Sequence, residues 1–495
     1  MYLSKTKYVR ALQCPKMLWM DTYKENEAEE NPSLNAVFDT GHKVGELATH
    51  LFHNCVTVEN SDNKSLMIEE TKKLMEAGVE NIAEASFSFD KLFCSVDILH
   101  KVSNGWEIYE VKSSNHCKTV FDEDMAFQYY VLRNCGLNIT GVYNIHINGA
   151  YVRHGVLDLN QLFTIENRTE TVLNKQGTVR SNIDDIRKYM AIADDFEPEC
   201  EIGPHCSTPY DCAYWKYCTR NLPSPNIFDI CGRFGKKKPF DYYYEGVISY
   251  EDVLKHAKLS DTQKRQVEFS YYHKPPYVDK AALKNYLDEL TYPLYYLDFE
   301  TFTQAIPEYD GIIPQSTKIT FQYSLHIQKE KGGTIEHREF LGKEGTDPRR
   351  AVAERLCKDI PDDVCVLAYW MSFEKSRIKE LADLFPDLAP HLMKIHDNIR
   401  DLIDPFKKGW YYCEAQHGSN SIKDVLPALC PNDPELDYHN LDQIHNGSEA
   451  STIFAELHTK SPEEIAQTRK NLLAYCRLDT LAMVKVLEKL YEVTE

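Results

Sequence analysis

The chain has 495 residues, 43% hydrophobic and 12% aromatic, which is enough apolar material for two or three domains with real cores and excludes wholesale disorder. A net charge of -20 and a pI near 5.4 are not the footprint of a protein that coats duplex nucleic acid, though acidic sites and local basic patches suit an enzyme acting on it. The polar amino terminus and the lack of any apolar run of membrane-span length point to a soluble, cytoplasmic protein without a membrane partner; 15 cysteines in that compartment suggest metal or cluster ligation rather than disulfides.

The first domain is expected over residues 1–220. Val9, Leu12, Cys14, Leu18 and Trp19 give an irregular amphipathic helix made basic by Lys5, Lys7, Arg10 and Lys16. Residues 40–51 read as a second helix carrying Glu46. Strand signals follow at 86–89, 92–99 and 106–111, and the turn residues Ser103-Asn104-Gly105 pair the last two as a hairpin. That hairpin puts Asp97 late in one strand and Glu110 and Lys112 on one face of the next. Asp97 and Glu110 suit a magnesium ion, and Lys112 suits orienting a water and stabilising phosphate charge. A surface hairpin with an ion-paired Glu-x-Lys is the plainer reading of the same residues. Met125 to Leu132 reads as an amphipathic helix bearing Gln128.

Cys200, Cys206, Cys212 and Cys218 recur every six residues among Gly203-Pro204 and Pro209, a pattern of irregular backbone wrapped round a metal. Thiolates at this density suit zinc or an iron–sulfur cluster, and spacing alone leaves both open. A connector is expected over 221–290, broken by Pro223 and Pro225 and continuing as helices at 250–257, 261–271 and 280–290. Its Lys236 to Lys238 run is either a solvated surface or a grip on phosphate.

The last domain is expected over 291–495. In TYPLYYLDFET an apolar strand runs into Asp298 and Glu300, which share one face while Phe299 takes the other. Two carboxylates side by side at the end of a buried strand require a cation. Strands follow at 318–327, 334–340 and 363–369, then a helix from Ser372 to about Leu384 carrying Glu374. Asp401 and Asp404 are spare acids, and Ser421 and Lys423 open a helix at 419–429. In the closing helix Tyr475 and Asp479 stand four residues apart and share a face.

In order and spacing, Glu46, Asp97, Glu110, Lys112 and Gln128 resemble the PD-(D/E)XK nuclease superfamily in its RecB-type and AddB-type branch. The resemblance implies Mg2+ or Mn2+ held by Glu46, Asp97 and Glu110, with Lys112 and Gln128 as catalytic partners. It also implies a [4Fe–4S] cluster on Cys14, Cys206, Cys212 and Cys218, with Cys200 the rival fourth ligand and zinc the alternative metal. Two departures are Gly45 where the family often has histidine, and Leu132 where it has tyrosine. DFET and YCRLDT resemble the DEDD 3′–5′ exonucleases of the Tyr-x3-Asp subgroup. There Asp298, Glu300 and Asp479 would bind two metals and Tyr475 would orient the attacking water. The middle acid is Glu374 rather than aspartate, and Trp370 stands where asparagine is expected. The whole order resembles a bacterial family of unknown function that fuses these two modules. The expected fold is therefore α/β: a restriction-endonuclease-like domain with a cluster, a helical connector and a ribonuclease H-like domain. The expected function is metal-dependent hydrolysis of DNA, single-stranded or at ends, in repair or phage defence. The alternative is a nucleic-acid-binding accessory subunit with one or both sites inactive.

Overall fold

The computed structural model describes residues 2–29, 32–191, 196–235, 237–431 and 433–495, and for 32–38 the backbone alone. It is a mixed α/β structure of two units, each built round its own mixed sheet. The first unit comprises Met1–Asn221 with Gln304–Thr317, and the second Leu222–Thr303 with Lys318–Glu495. The segment expected as a separate connector thus falls within the second unit, where Ile227, Tyr242, Tyr250, Val253 and Val267 form a small apolar cluster of their own. Residues 304–317, expected in the last domain, belong to the first unit, where Ala305 and Ile306 pack on its core. No helix among the described residues is long and apolar enough to cross a membrane.

In the first unit, β1 (Leu3–Ser4) leads into α1 (Lys5–Gln13), Cys14 breaks the helix, and α2 (Pro15–Tyr23) restarts with proline in its first turn. Then follow α3 (Pro32–Thr49), β2 (Val56–Thr57), α4 (Lys64–Glu76), β3 (Asn81–Phe89), β4 (Leu92–Val102), β5 (Gly105–Lys112), α5 (Thr119–Asn134), β6 (Ile139–Ile147) and β7 (Phe163–Asn167). The sheet runs β2-β3-β4-β5-β6-β7, with β1 pairing parallel to β4. Tyr8, Val96, Leu99, Ile108, Met125 and Phe127 bring α1, the central strands and α5 into one core.

Two irregularities shape the middle of this sheet. Glu84 adopts φ 56° and drops out of the β3–β4 ladder, which passes from Ala83↔Ile98 to Ala85↔Val96. The β4–β5 ladder runs from Val102↔Gly105 to Ile98↔Tyr109, and beyond it the Val111 N–H donates to the Asp97 carboxylate at 2.7 Å. Side-chain chemistry replaces backbone pairing just where the acids cluster.

In the second unit the sheet order is β11-β10-β9-β12-β13, with β9 (Leu294–Phe302), β10 (Ile319–Gln328), β11 (Ile335–Leu341), β12 (Cys365–Ala368) and β13 (Ile399–Asp401); a separate two-stranded sheet pairs β8 (Tyr277–Val278) with β14 (Tyr411–Tyr412). The first three strands are antiparallel, and β12 and β13 run parallel to β9. Period-two alternation sends Tyr295, Leu297 and Phe299 into the core with Tyr323, Leu325 and Ile327. The opposite face of β10 carries Gln322, Ser324 and His326, and the closing helix, Pro462–Thr494, satisfies them. Gln322 donates to the Leu472 carbonyl at 2.8 Å, and Ser324 and His326 each lie 2.7 Å from Thr480 Oγ1. Because Ser324 pairs with Asp298 and Gln322 with Glu300, this anchoring brings Tyr475, Cys476 and Asp479 over the two acids.

Candidate metal centres

In the first unit, Asp97, Glu110, Lys112 and Gln128 come together as a hydrogen-bonded cluster. Glu110 is fully buried, and Lys112 Nζ reaches its Oε1 at 2.5 Å and Asp124 Oδ2 at 3.0 Å. Gln128 Nε2 donates to Glu110 Oε2 at 2.5 Å. Lys5, the first residue of α1, inserts its Nζ at 3.4 Å from Asp97 Oδ1 and 3.2 and 3.3 Å from the two Glu110 oxygens. Burial, then repulsion from Asp124 and Asp97, lifts Glu110 to about 7 against the two lysines. Burial also lifts Asp124, but Lys112 and Lys5 override it and hold that acid below its ordinary value. Burial and Asp97 push Glu84 up to about 7. Glu46 lies exposed on α3, and among the described residues no hydrogen bond or ion pair joins its side chain to this cluster.

Lys5, Glu84 and Asp124 are members that sequence reasoning missed. Asp124 lies four residues before Gln128 and was detectable as its neighbour on a helix face. Lys5 and Glu84 are brought in by β1–β4 pairing and by the bulge, which leave no local sequence signal.

In the second unit, half-buried Asp298 and buried Glu300, Glu374 and Asp479 converge; among the described residues no ion pair reaches any of the four, and Lys423 offsets the burial of Glu300 and Asp479 only in part. Asp298 and Glu300 each place a carboxylate oxygen within 4.8 Å of Cys476 Sγ. Burial, then Asp479, Glu300 and Glu374, holds the Asp298 carboxyl well above its usual range. Burial, then Asp479, does the same to Glu300. Glu374, on the helix Ser372–Leu384, is 2% exposed, its Oε2 has no hydrogen-bond partner, and burial lifts it to about 8. Burial raises Asp479 to about 6 against the hydrogen bond from Tyr438 at 2.6 Å. An orphaned carboxylate oxygen among mutually repelling acids is a donor set suited to a metal ion.

Round these acids, Lys423 Nζ lies 3.3 Å from Tyr475 Oη and donates to the His445 carbonyl at 2.9 Å. Ser421 caps the helix Ile422–Leu429 through the Lys423 N–H. Trp370 takes φ 73°, donates its N–H to Asp401 Oδ1 at 2.9 Å and is 57% exposed. Asp401 is thus spent on backbone and Asp404 on Lys408. Tyr438 and Cys476 were missed in the sequence; Cys476 stands three residues before Asp479 and was readable as sharing its helix face.

Cysteines line a third candidate site, of which Cys14 and Cys200, with His205, lie within ligand range of one another. Cys14, Cys200, Cys206, Cys212, Cys218 and His205 line one cavity, and none of these cysteines is in a disulfide. Cys14 Sγ lies 3.7 Å from Cys200 Sγ, which lies 4.0 Å from His205 Nε2. The Cys200 thiol, with smaller help from backbone N–H groups and His205, lowers Cys14 to about 6. Gln13 ties the loop down through the carbonyls of His205 and Tyr210. His205 was missed, although it directly precedes Cys206. Of the lysine run, Lys236 lies outside the described residues and Lys237 pairs with Glu245.

A family model described as "Domain of unknown function (DUF2779)" matches residues 295–421, spanning Asp298, Glu300 and Glu374 but not Tyr475 or Asp479. Comparison with curated proteins and with solved structures returns no match.

Proposed function

We propose that this protein is a metal-dependent phosphodiester hydrolase acting on DNA, single-stranded or at ends, with Asp298, Glu300, Glu374 and Asp479 as its principal centre. The observation that carries this reading is the convergence of those four acids, three of them buried, with no ion pair to any of them among the described residues. Asp298, Glu300 and Asp479 would hold Mg2+ or Mn2+, with Glu374 filling the place of the family's middle aspartate. The bound ions would activate water and stabilise charge on the leaving oxygen. Tyr475 Oη orients the attacking water, and Lys423 beside it supplies positive charge toward a phosphate. Strand order β11-β10-β9-β12-β13 with the closing helix across it supports a ribonuclease H-like second unit. The β4–β5 hairpin with Lys112 and Gln128 supports a PD-(D/E)XK-like first unit, whose Asp97 and Glu110 form a second, separate metal site.

The test is cleavage of end-labelled single-stranded and duplex DNA with Mg2+ or Mn2+, comparing wild type with Asp298→Asn and Lys112→Ala. Asp298→Asn is expected to remove most cleavage. Unchanged cleavage by Asp298→Asn with none by Lys112→Ala would instead make the second unit a binding module.

For the cysteine centre we propose a [4Fe–4S] cluster on Cys14, Cys206, Cys212 and Cys218. A second reading has zinc on Cys14, Cys200 and His205, because the 3.7 Å Cys14–Cys200 separation is close to the edge of a tetrahedron with Zn–S bonds of about 2.3 Å.

A further inference from the structure

The two carboxylate clusters differ in one respect that bears on which of them takes metal first. At Asp298, Glu300, Glu374 and Asp479 no ion pair among the described residues reaches the acids, and Lys423, outside ion-pair range, only draws Glu300 and Asp479 down against burial. At Asp97 and Glu110 every carboxylate oxygen already accepts from the protein: Asp97 Oδ1 from Lys5, Asp97 Oδ2 from the Val111 N–H, Glu110 Oε1 from Lys112 and Lys5, and Glu110 Oε2 from Gln128 and Lys5. The Lys5 ammonium bridges the two acids, which is the place of an ion they would share.

Lys5 is held there by both neighbours along the chain. Leu3 and Ser4 pair in register with Leu92 and Phe93, and the Leu3 N–H donates to the Lys91 carbonyl at 2.9 Å. Ser4 then caps α1 through the Lys7 N–H, and Tyr8, one turn on, stacks on Phe127 of α5 with ring centroids 4.8 Å apart. The side chain is 21% exposed, so its ammonium is largely out of water and strongly attracted to the acids it bridges. The wall beyond it is still rich in acceptors, since Asp124 Oδ1 and Gln128 Oε1 are buried without partners. The cluster therefore keeps the means to bind a metal once the ammonium leaves, and a flexible four-carbon stem allows it to leave.

We propose that Lys5 is a built-in competitor for divalent metal at the first cluster: an ion binds Asp97 and Glu110 only by displacing the Lys5 ammonium. This rests on the reading of Asp97 and Glu110 as metal ligands. Under it, the first cluster fills at higher metal concentration than the second, and the residue that sets the difference lies at the start of α1, outside the D…E-x-K hairpin.

The experiment is Mn2+ titration by electron paramagnetic resonance of the full chain carrying Asp298→Asn and Asp479→Asn, so that the second cluster is silent. In that background Lys5 is kept, changed to Met, or changed to Met together with Asp97→Asn, and each protein is melted first to show that it is folded. Lys5→Met is expected to tighten Mn2+ binding by roughly tenfold or more, the size of one close, partly desolvated charge, and Asp97→Asn to abolish it. Lys5→Gln repeats the measurement should Lys5→Met not fold. Equal Mn2+ affinity with and without Lys5, lost on Asp97→Asn, overturns the competitor role and leaves the metal site standing. Binding that is indifferent to Asp97→Asn in every background overturns both.

Discussion

Tyr438 donates a 2.6 Å hydrogen bond to Asp479 Oδ1, so the acid contributed by the closing helix is fixed at one oxygen by a residue far from the recognisable motif. Burial raises Asp479 to about 6, and this bond is the first force against it because it stabilises the charged form. Tyr438→Phe is therefore expected to raise that acid further and to move the acidic limb of the pH–rate profile upward. Activity near pH 6 should fall several-fold more than activity near pH 8. A uniform loss across the profile would show that Tyr438 only packs.

Asp298→Asn and Asp479→Asn are each expected to lower kcat by roughly a hundredfold or more, about 2.7 kcal/mol of barrier. Thermal melting in chelator should not drop, because each substitution removes an acid whose ionisation burial opposes. Quenched-flow cleavage of a labelled single strand, paired with melting curves, measures both.

Glu374 gives the metal-free protein a stability that depends on pH. Its carboxyl keeps a proton up to about 8 when folded, against an ordinary value of 4.5, so between those values the folded chain binds the extra proton. Stability is then greatest below the unfolded value and falls as pH rises through the folded one. In chelator the melting temperature should decline over that window, excess Mg2+ should offset the decline, and Glu374→Gln should reduce it. Calorimetry at several pH values decides; an identical decline in Glu374→Gln would assign it to the other acids.

Anaerobically purified protein is expected to be brown, with iron and labile sulfide near four per chain. Cys206→Ser should bleach it, whereas Cys200→Ala should not. A colourless protein with one zinc, lost on Cys200→Ala, would establish the zinc reading instead.

Leu297→Ala tests the scaffold without touching an acid. Leu297 is fully buried in β9 among Leu325 and Val366, and truncation is expected to cost about 2–5 kcal/mol. Denaturant unfolding followed by circular dichroism measures it.

The elements that carry chemistry were legible where their residues are local. Alternation gave β9 its two faces, Ser103-Asn104-Gly105 gave the β4–β5 hairpin, and helix period put Tyr475 and Asp479 together. Lys5 and Glu84 were not legible, because parallel pairing of two residues at β1 and a bulge at φ 56° bring distant side chains together. Nor was the division of the chain readable from proline content alone: Pro223 and Pro225 lie close to a true boundary, but nothing in 304–317 announces that it packs with the first unit.

That last segment bears on how such a protein is cut. Ile306 packs against the first unit's core, the Arg153 guanidinium bonds the Pro307 carbonyl at 2.5 Å, and the Gly155 N–H bonds Asp310. A gene fragment ending at codon 221 would encode that unit without its own covering strip, while the matching fragment from 222 onward would carry the strip with nothing of its own unit to lie on. A cut at 221 therefore separates the first unit from part of its own packing.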